Sequence, residues 1–313
     1  MVRRIFFCAF NIAGLTIAVD NGRYFGVSNS KVHFSKYHGL GNDYLVIDPK
    51  VHDVELTPET IRLICDRNFG IGSDGILYGP VETDTGPMVR IFNPDGSEAE
   101  KSGNGLRIFA RYLFERGYIK GKEFTIVTSG GIVRARIEDE HASLIRIEMG
   151  KITFLSTEIP VAGEERLVID EELEVDGSTY KVTCLSIGNP HCVIPIDDLS
   201  EKRARELGPH VENHEMFPNR INVQLLKVID RANIEIRIWE RGAGYTLASG
   251  SSSCAAAGAA HRLGLVDEKI NVRMPGGNLE VEISDDGQIL MTGPVEGVFE
   301  GCFHRDLKEK ING

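Results

Sequence analysis

The sequence predicts an α+β protein built from two similar halves, each with many strands around one central helix. Two stretches indicate the duplication. Near Ser102 a Ser-Gly-Asn-Gly segment precedes an apolar helical run, and near Ser249 a Ser-Gly-Ser segment precedes an Ala-rich run. The two serines are separated by almost half of the 313 residues. Long helical crossovers are scarce, so we expect mostly antiparallel or mixed sheets.

Both helix starts are candidate anion sites. Exposed N–H groups and the positive end of the helix dipole attract anions at such a place. We therefore expect the two halves to present their helix starts to one shared ligand.

Alternation of apolar and polar residues predicts the strands of the first half. These strands span 32–37, 44–48, 76–78, 88–92, 123–129, 131–138 and 143–150. Thr57 as N-cap and Pro58 as first helical residue predict a helix that stops near Gly70. A second helix is expected over 106–116, closed by Gly117.

Two glycine-rich loops also lie in the first half, at 38–43 and 70–75. The first loop joins two predicted strands. It is either a plain hairpin turn or a place where the backbone approaches a ligand closely.

The second half repeats this style. Its predicted strands span 181–187, 221–223, 233–239, 270–274, 279–283 and 289–292. A loop over 188–193 is expected to lead into Ile194. Ser200 caps a short helix that we expect to end at Gly208-Pro209, and a longer helix is expected over 252–263.

Charge and cysteine usage exclude several classes. The net charge is −11 and the basic residues are scattered, which argues against a nucleic-acid or anionic-membrane partner. Six cysteines include no CxxC pair, so we expect free thiols in a reducing compartment, the cytoplasm, and no zinc site.

The N-terminus does not fit the regular pattern. Arg3 and Arg4 precede an apolar run from Ile5 to Val19 that is similar to the hydrophobic part of a signal peptide. An upstream start or a peripheral tail is the competing interpretation, since the domain pattern begins only at Val32. The expected division is an N-terminal extension (1–31), a first half (32–150), a second half (151–301, whose last strand can pack on the first half) and a C-terminal tail (302–313).

The chain resembles the diaminopimelate epimerase family, which epimerises an amino acid without a cofactor or metal. The matching segments, in chain order, are 38–43, 70–75, 90–97, 102–105, 188–191, 222–223 and 240–244. The resemblance implies two pseudo-symmetric α/β halves with the site in the cleft between them. It also implies a small amino-acid substrate and a possible homodimer.

In this family two cysteines face each other across the cleft and exchange the α-proton on opposite faces. The matching positions here are Ser102 and Ser249. A thiol has a pKa of about 8.5, whereas the pKa of an alcohol is closer to that of bulk water, about 15.7. The gap is roughly 7 units, on the order of 10 kcal/mol. A serine therefore needs a neighbour that takes its proton.

The resemblance suggests His191 and Glu240 as these neighbours, because they support one cysteine in the family. Lys101 is a further candidate because it adjoins Ser102. We interpret Cys254, five residues past Ser249, and Cys192 as ordinary buried cysteines rather than substitute thiols.

The remaining site residues also come from the resemblance. Residues that would bind the substrate's distal end and carboxylates are Asn42, Asn93, Asn189 and Asn222. Glu240 and Arg241 would hold amino and carboxylate groups. Backbone N–H groups for the α-carboxylate would come from Gly103, Asn104, Gly250 and Ser251.

Three functions remain open at this point. The first is an epimerase that acts at an amino-acid α-carbon, with diaminopimelate in lysine and cell-wall precursor biosynthesis as the expected substrate. The second is a lyase or isomerase of another substrate, in which Glu240 or His191 is the only base. The third is a non-catalytic amino-acid-binding protein. Accompanying differences from the family, Tyr245 and Lys101, favour a natural Ser/Ser branch over an engineered substitution.

Overall fold

The computed structural model describes residues 9–12, 15–20, 23–27, 32–51 and 54–312. No helix in this part of the chain is long and apolar enough to cross a membrane. The helices of the described chain are α1 (Pro58–Cys65), α2 (Gly103–Glu115), α3 (Glu201–Glu212), α4 (Gly250–Arg262) and α5 (Arg305–Asn312).

Strands make up most of the remaining described chain. In order they are β1 (Ala9–Ile12), β2 (Leu15–Asp20), β3 (Arg23–Val27), β4 (His33–Gly39), β5 (Asn42–Ile47), β6 (Ile76–Thr83), β7 (Gly86–Phe92), β8 (Glu98–Ala99), β9 (Glu123–Thr128), β10 (Gly131–Ile137), β11 (Leu144–Lys151), β12 (Glu171–Val175), β13 (Ser178–Ser186), β14 (Pro190–Pro195), β15 (Asn222–Asp230), β16 (Asn233–Glu240), β17 (Gly244–Thr246), β18 (Lys269–Met274), β19 (Gly277–Ile283), β20 (Gln288–Pro294) and β21 (Glu296–Cys302). β4 to β21 join into one closed mixed sheet, and β1 to β3 form a separate antiparallel sheet.

The same succession of elements occurs twice, which confirms the two-repeat α+β fold. In the first repeat, α1 connects the parallel pair β5–β6 and α2 connects the parallel pair β7–β9. In the second repeat, α3 connects β14–β15 and α4 connects β16–β18 in the same way. β21 pairs with β4 as β12 pairs with β13, so the last strand lies on the first repeat.

α2 and α4 are the central helices. α2 buries Leu106, Phe109 and Leu113 completely, and burial of each such side chain stabilises the fold by roughly 1.5–3 kcal/mol. α4 instead buries small side chains, including Ala255 and Ala259, so the strands of the second repeat pack close around it. Ser102 and Ser249 lie directly before these two helices.

The sequence predicts the start of α1 correctly. The Thr57 side chain accepts a hydrogen bond from the Thr60 N–H (3.2 Å), and Pro58 is the first helical residue.

The predicted end of α3 at Gly208-Pro209 is wrong, because the helix continues to Glu212. Gly208 lies against Trp239, where a Cβ would be 2.4 Å from the indole Cγ. The Glu212 carboxylate accepts hydrogen bonds from the indole N–H of Trp239 (2.7 Å) and from the backbone N–H of Gly242 (2.8 Å). Since these contacts hold the last turn, the missing N–H of Pro209 does not end the helix.

The predicted loop over 188–193 is also too long. Pro190 already begins β14, and His191 pairs with Leu185 on one side and Asn222 on the other. A proline at the first position of a strand removes no essential ladder bond, so the strand starts there.

The N-terminal apolar run falls partly outside the described residues. Within it, Ala9–Ile12 and Leu15–Asp20 pair as antiparallel strands, followed by Arg23–Val27. The segment before residue 9, which includes Arg3 and Arg4, lies outside the description.

Candidate active site

The two central helices meet start to start. A Cβ on Gly250 would lie 3.5 Å from the Cα of Gly103, and Met291 lies against both glycines. Side chains at these positions would fill the space between the helix starts, so the close approach requires glycine. The expectation that both halves present a helix start to one place agrees with this geometry.

Ser102 is the N-cap of α2. Its Oγ accepts a hydrogen bond from the Gly105 N–H (3.1 Å) and lies 3.1 Å from the Tyr44 Oη. The cap bond fixes the side-chain rotamer, so the hydroxyl stays at the helix start.

Ser249 occupies the matching position before α4, but its hydroxyl makes no cap bond to that helix. The Ser249 hydroxyl lies instead near the Glu240 carboxyl group and affects its pKa. Burial raises the pKa of Glu240 above its ordinary value, the nearby Ser249 hydroxyl lowers it, and the charge of Asp74 raises it further. The two serines therefore have chemically different partners.

A chain of side-chain amides supports the first helix start. Buried Arg107 donates to Asn104 Oδ1 (2.7 Å), Asn104 Nδ2 donates to Asn42 Oδ1 (3.0 Å), and Asn42 Nδ2 donates to Asp74 Oδ2 (3.0 Å). Burial lowers the pKa of Arg107 to about 10. Each bond in the chain fixes the orientation of an amide.

The last member of this series of hydrogen bonds, Asp74, belongs to a cluster of ion pairs. Asp43 pairs with Lys36 (2.7 Å) and Arg67 (2.7 Å), and Arg67 also pairs with Asp74 (2.8 Å). The backbone N–H groups of Asp43 and Asp74 donate to the opposite carboxylate. The cluster thus ties the 38–43 turn to the 70–75 loop.

His191 is completely buried in a second polar network. Its Nε2 lies 3.0 Å from Asn189 Oδ1, and Asn189 Nδ2 donates to Ser251 Oγ (3.4 Å). Burial lowers the pKa of His191 to about 3, nearby Gln224 raises it, and nearby Arg241 lowers it. The imidazole is therefore neutral at pH 7, and its partners are amides that lead to the start of α4.

Asn222 shapes the turn that carries Glu240. Its Nδ2 donates to the Pro190 carbonyl (2.8 Å), and its Oδ1 accepts from the Arg241 backbone N–H (3.0 Å). The exposed Arg241 guanidinium donates to the Asn219 carbonyl (3.2 Å). Asn222 thus holds Glu240 and Arg241 in register at the end of β16.

Asn93 lies in the turn after β7 and is half-buried. Its Nδ2 donates to Ser97 Oγ (3.0 Å), and its backbone N–H donates to the Ser97 carbonyl (2.9 Å). These bonds stabilise its own turn.

The remaining chemically active side chains lie in other environments. Cys254 is fully buried, and burial raises its pKa to about 12. Cys192 is buried beside Cys184. Lys101 is exposed, and its stem lies near Gly130. In the described chain, no cluster of three or more His, Cys, Asp or Glu side chains is arranged to hold a metal ion.

Sequence reasoning missed Tyr44, Asp74 and Gln224. Asp74 lies in a glycine-rich loop whose pattern is visible in the sequence, so that motif was the available signal. Tyr44 and Gln224 have the pattern of ordinary strand residues. Their partners, Ser102 and Ser252, lie at the starts of helices that are remote in sequence, so no local pattern indicates these contacts.

Comparison with known proteins identifies the family. The family model described as diaminopimelate epimerase matches residues 34–155 and 183–298, which is most of the chain. The chain belongs to the diaminopimelate epimerase family. It is 56% identical over 269 residues to diaminopimelate epimerase 2 of Nostoc sp., covering 86% of this chain and 94% of that relative. It is 41% identical to diaminopimelate epimerase of Moorella thermoacetica, covering 88% of this chain and 100% of that relative.

Solved structures agree on the fold. A hydroxyproline epimerase from Agrobacterium vitis superposes with a TM-score of 0.64 at 14% identity, covering 88% of this chain and 93% of that chain. A probable proline racemase from Agrobacterium radiobacter gives 0.63 at 15% identity, covering 90% of this chain and 96% of that chain. At such low identity the likeness supports the two-repeat fold alone.

Proposed function

We propose that this chain is a cofactor-independent epimerase that inverts the α-carbon of an amino acid, with diaminopimelate (L,L to meso) as the substrate. The observation that carries the proposal is the placement of Ser102 and Ser249 at two helix starts that face each other. The buried Glu240 carboxyl group lies near Ser249, whose hydroxyl lowers the Glu240 pKa. The names of the relatives support the substrate.

In the proposed reaction the two N-termini bind the substrate's α-carboxylate. Helix N–H groups and dipoles then stabilise the negative charge that develops when the α-proton leaves. Ser249 Oγ takes the α-proton while its own proton moves to the Glu240 carboxylate. Ser102 Oγ delivers a proton to the opposite face. Because the Ser249 proton moves to Glu240, no free alkoxide forms at Ser249; such an alkoxide would be too basic to persist at pH 7.

His191 has a different part in this proposal from the one the resemblance suggested. Its neutral imidazole and its bond to Asn189, which in turn donates to Ser251, suit the positioning of Ser251 at the start of α4. Glu240 is the group that accepts a proton.

The test is α-proton exchange in deuterated water, followed by NMR, with L,L- and meso-diaminopimelate. The unmodified chain, Ser102→Cys/Ser249→Cys and Ser102→Ala/Ser249→Ala are compared. Exchange with interconversion of the isomers in the unmodified chain supports the proposal, and the alanine variant serves as the inactive control.

Other outcomes contradict it. Exchange only in the cysteine variant means that the chain binds the amino acid without turning it over. Formation of ammonia or an unsaturated acid means a lyase. Absence of exchange in every variant removes diaminopimelate as the substrate.

We further propose that the chain works in the cytoplasm as a homodimer, as the family resemblance suggests. β21 exposes Val298 and Phe299 on the strand that pairs with β4. Light scattering after size exclusion distinguishes a dimer from a monomer.

A further inference from the structure

Tyr44 is a buried residue of the first repeat, and its hydroxyl group lies next to the hydroxyl group of Ser102. It lies on β5 and is 6% exposed. Its ring packs on Gly75, where an added Cβ would be 2.6 Å from Tyr44 Cε1 and 2.5 Å from the Phe92 carbonyl oxygen. Only a glycine leaves room for the ring, so the direction of the hydroxyl is fixed by packing.

The hydroxyl of Tyr44 lies 3.1 Å from Ser102 Oγ. Because that oxygen already accepts the Gly105 N–H, one lone pair and one hydrogen remain available. If Tyr44 donates to the lone pair, the hydrogen of Ser102 is free to point toward a ligand between the helix starts. The Tyr44 phenol then lies on the side of the Ser102 hydroxyl that is opposite to the ligand.

We propose that Tyr44 is the proton source behind Ser102. As the Ser102 O–H gives its proton to the substrate's α-carbon, the Tyr44 proton moves to Ser102 Oγ. One C–H bond and one serine O–H bond form, two O–H bonds break, and the negative charge of the carbanion ends on the phenolate. In the reverse direction the phenolate recovers its proton through Ser102. This inference rests on the proposed epimerase function.

The reason for the relay is the proton affinity of the groups. An alcohol gives up its proton much less readily than a phenol does. Burial raises the pKa of Tyr44 to about 12, the Ser102 hydrogen bond lowers it, and the charges of Asp74, Glu240 and Asp43 raise it. Leaving the charge on the phenol rather than on serine therefore favours the transfer.

The first test does not depend on the substrate. The thiol introduced by Ser102→Cys reports whether Tyr44 donates a hydrogen bond to position 102. The rate of alkylation of the peptide that carries this thiol is measured against pH by mass spectrometry, with and without Tyr44→Phe. A hydrogen-bond donor favours the thiolate, so we expect a lower pH midpoint when Tyr44 is present. Coincident midpoints overturn the relay.

The second test uses α-proton exchange. Tyr44→Phe is expected to slow isomer interconversion by about 10²–10⁴-fold, with little change in KM. Tyr37→Phe is the matched control: it is a buried tyrosine directly across from Tyr44 on β4, but its hydroxyl donates to Glu115. We expect its rate to match the unmodified chain.

Rescue separates proton transfer from structural support. A thiol at position 102 needs no relay, so Ser102→Cys is expected to restore interconversion in the Tyr44→Phe background. A Tyr44→Phe variant as fast as the unmodified chain, or a folded double variant that stays slow while Ser102→Cys alone is fast, overturns the inference. If the unmodified chain shows no exchange, the epimerase proposal fails, and the thiol midpoints still decide whether Tyr44 donates at this position.

Discussion

Replacing Asp43 by Asn tests the ion cluster that joins the 38–43 turn to the 70–75 loop. The Asp43 side chain is 11% exposed and lies within 2.7 Å of both Lys36 and Arg67. Burial alone raises the pKa of Asp43, but the hydrogen bonds from Arg67 and Lys36 outweigh it and lower the pKa from 3.8 to about 2. The folded state therefore holds the carboxylate more strongly than the unfolded chain does.

The shift corresponds to at most about 2 kcal/mol of stability at neutral pH. Solvent screening reduces this figure, so we expect Asp43→Asn to lower the free energy of unfolding by about 1–2 kcal/mol. The loss stays limited because Lys36 keeps its bond to the Gly72 carbonyl and Arg67 keeps Asp74.

The pH dependence has a definite sign. Because the folded pKa is the lower one, the contribution is complete above about pH 4 and is lost as the pH falls toward about 2. Urea unfolding followed by circular dichroism, at pH 7 and at the lowest pH where both proteins fold, should show the two curves converging on acidification.

Asp286→Asn is the matched control. The pKa of Asp286 is also lowered to about 2, mainly by its hydrogen bond with Lys151, but this pair is exposed. Exposed pairs contribute little to stability, so we expect a smaller change than at Asp43. Equal losses at both positions, or a loss at Asp43 that does not shrink in acid, would refute the reasoning.

Three further predictions concern the base, a packing contact and a cap. Glu240→Gln should slow α-proton exchange by about 10²–10⁴-fold. In the unmodified chain the rate should rise with pH through a midpoint above 4.5, because burial raises the pKa of the carboxyl group that acts when ionised; an unchanged pH profile in the variant contradicts the role. Gly208→Ala should lower the free energy of unfolding by about 1–3 kcal/mol, measured in urea, because its Cβ would strike Trp239; unchanged stability would show that the indole moves at no cost. Thr57→Ala should cost about 1 kcal/mol by the same assay and Thr57→Ser much less, because only a hydroxyl caps α1; equal losses in both variants contradict the cap.

Local patterns in the sequence predicted the repeat and the position of the serines. Ser102 and Ser249 each directly precede a helix, and a serine followed by small polar residues is a strong helix-start signal, although only Ser102 makes the cap bond. These signals depend only on residues within a few positions of one another, so they can be recognised without knowledge of the tertiary structure. The helix starts themselves were predicted two or three residues late, at Leu106 and Ser252, instead of at Gly103 and Gly250.

Contacts between distant segments could not be predicted in this way. The last turn of α3 persists through Pro209 because Glu212 bonds Trp239 and Gly242, which come later in the chain. The alternation that made Tyr44 a strand residue contains no information about Ser102, which lies 58 positions away. The family resemblance supplied a set of asparagines, but the observed bonds show that they also hold loops in place: Asn104 bonds Asn42, and Asn222 bonds the backbone of Arg241.

The two repeats have the same order of strands and helices but place different acidic groups next to their serines: the phenol of Tyr44 near Ser102 and the carboxyl group of Glu240 near Ser249. Ser102 caps α2 and lies within hydrogen-bond distance of a phenol, whereas Ser249 makes no cap bond and lies near a carboxyl group. A phenol with a pKa near 12 retains its proton at neutral pH, and a carboxyl group ionises far more readily. In the proposed reaction, the Ser249 side is therefore suited to remove a proton and the Ser102 side to return one. The two faces of the α-carbon then meet groups of unequal proton affinity. The rate of α-proton exchange should therefore depend on pH differently for the L,L isomer and for the meso isomer. A site with two identical groups would not require such a difference.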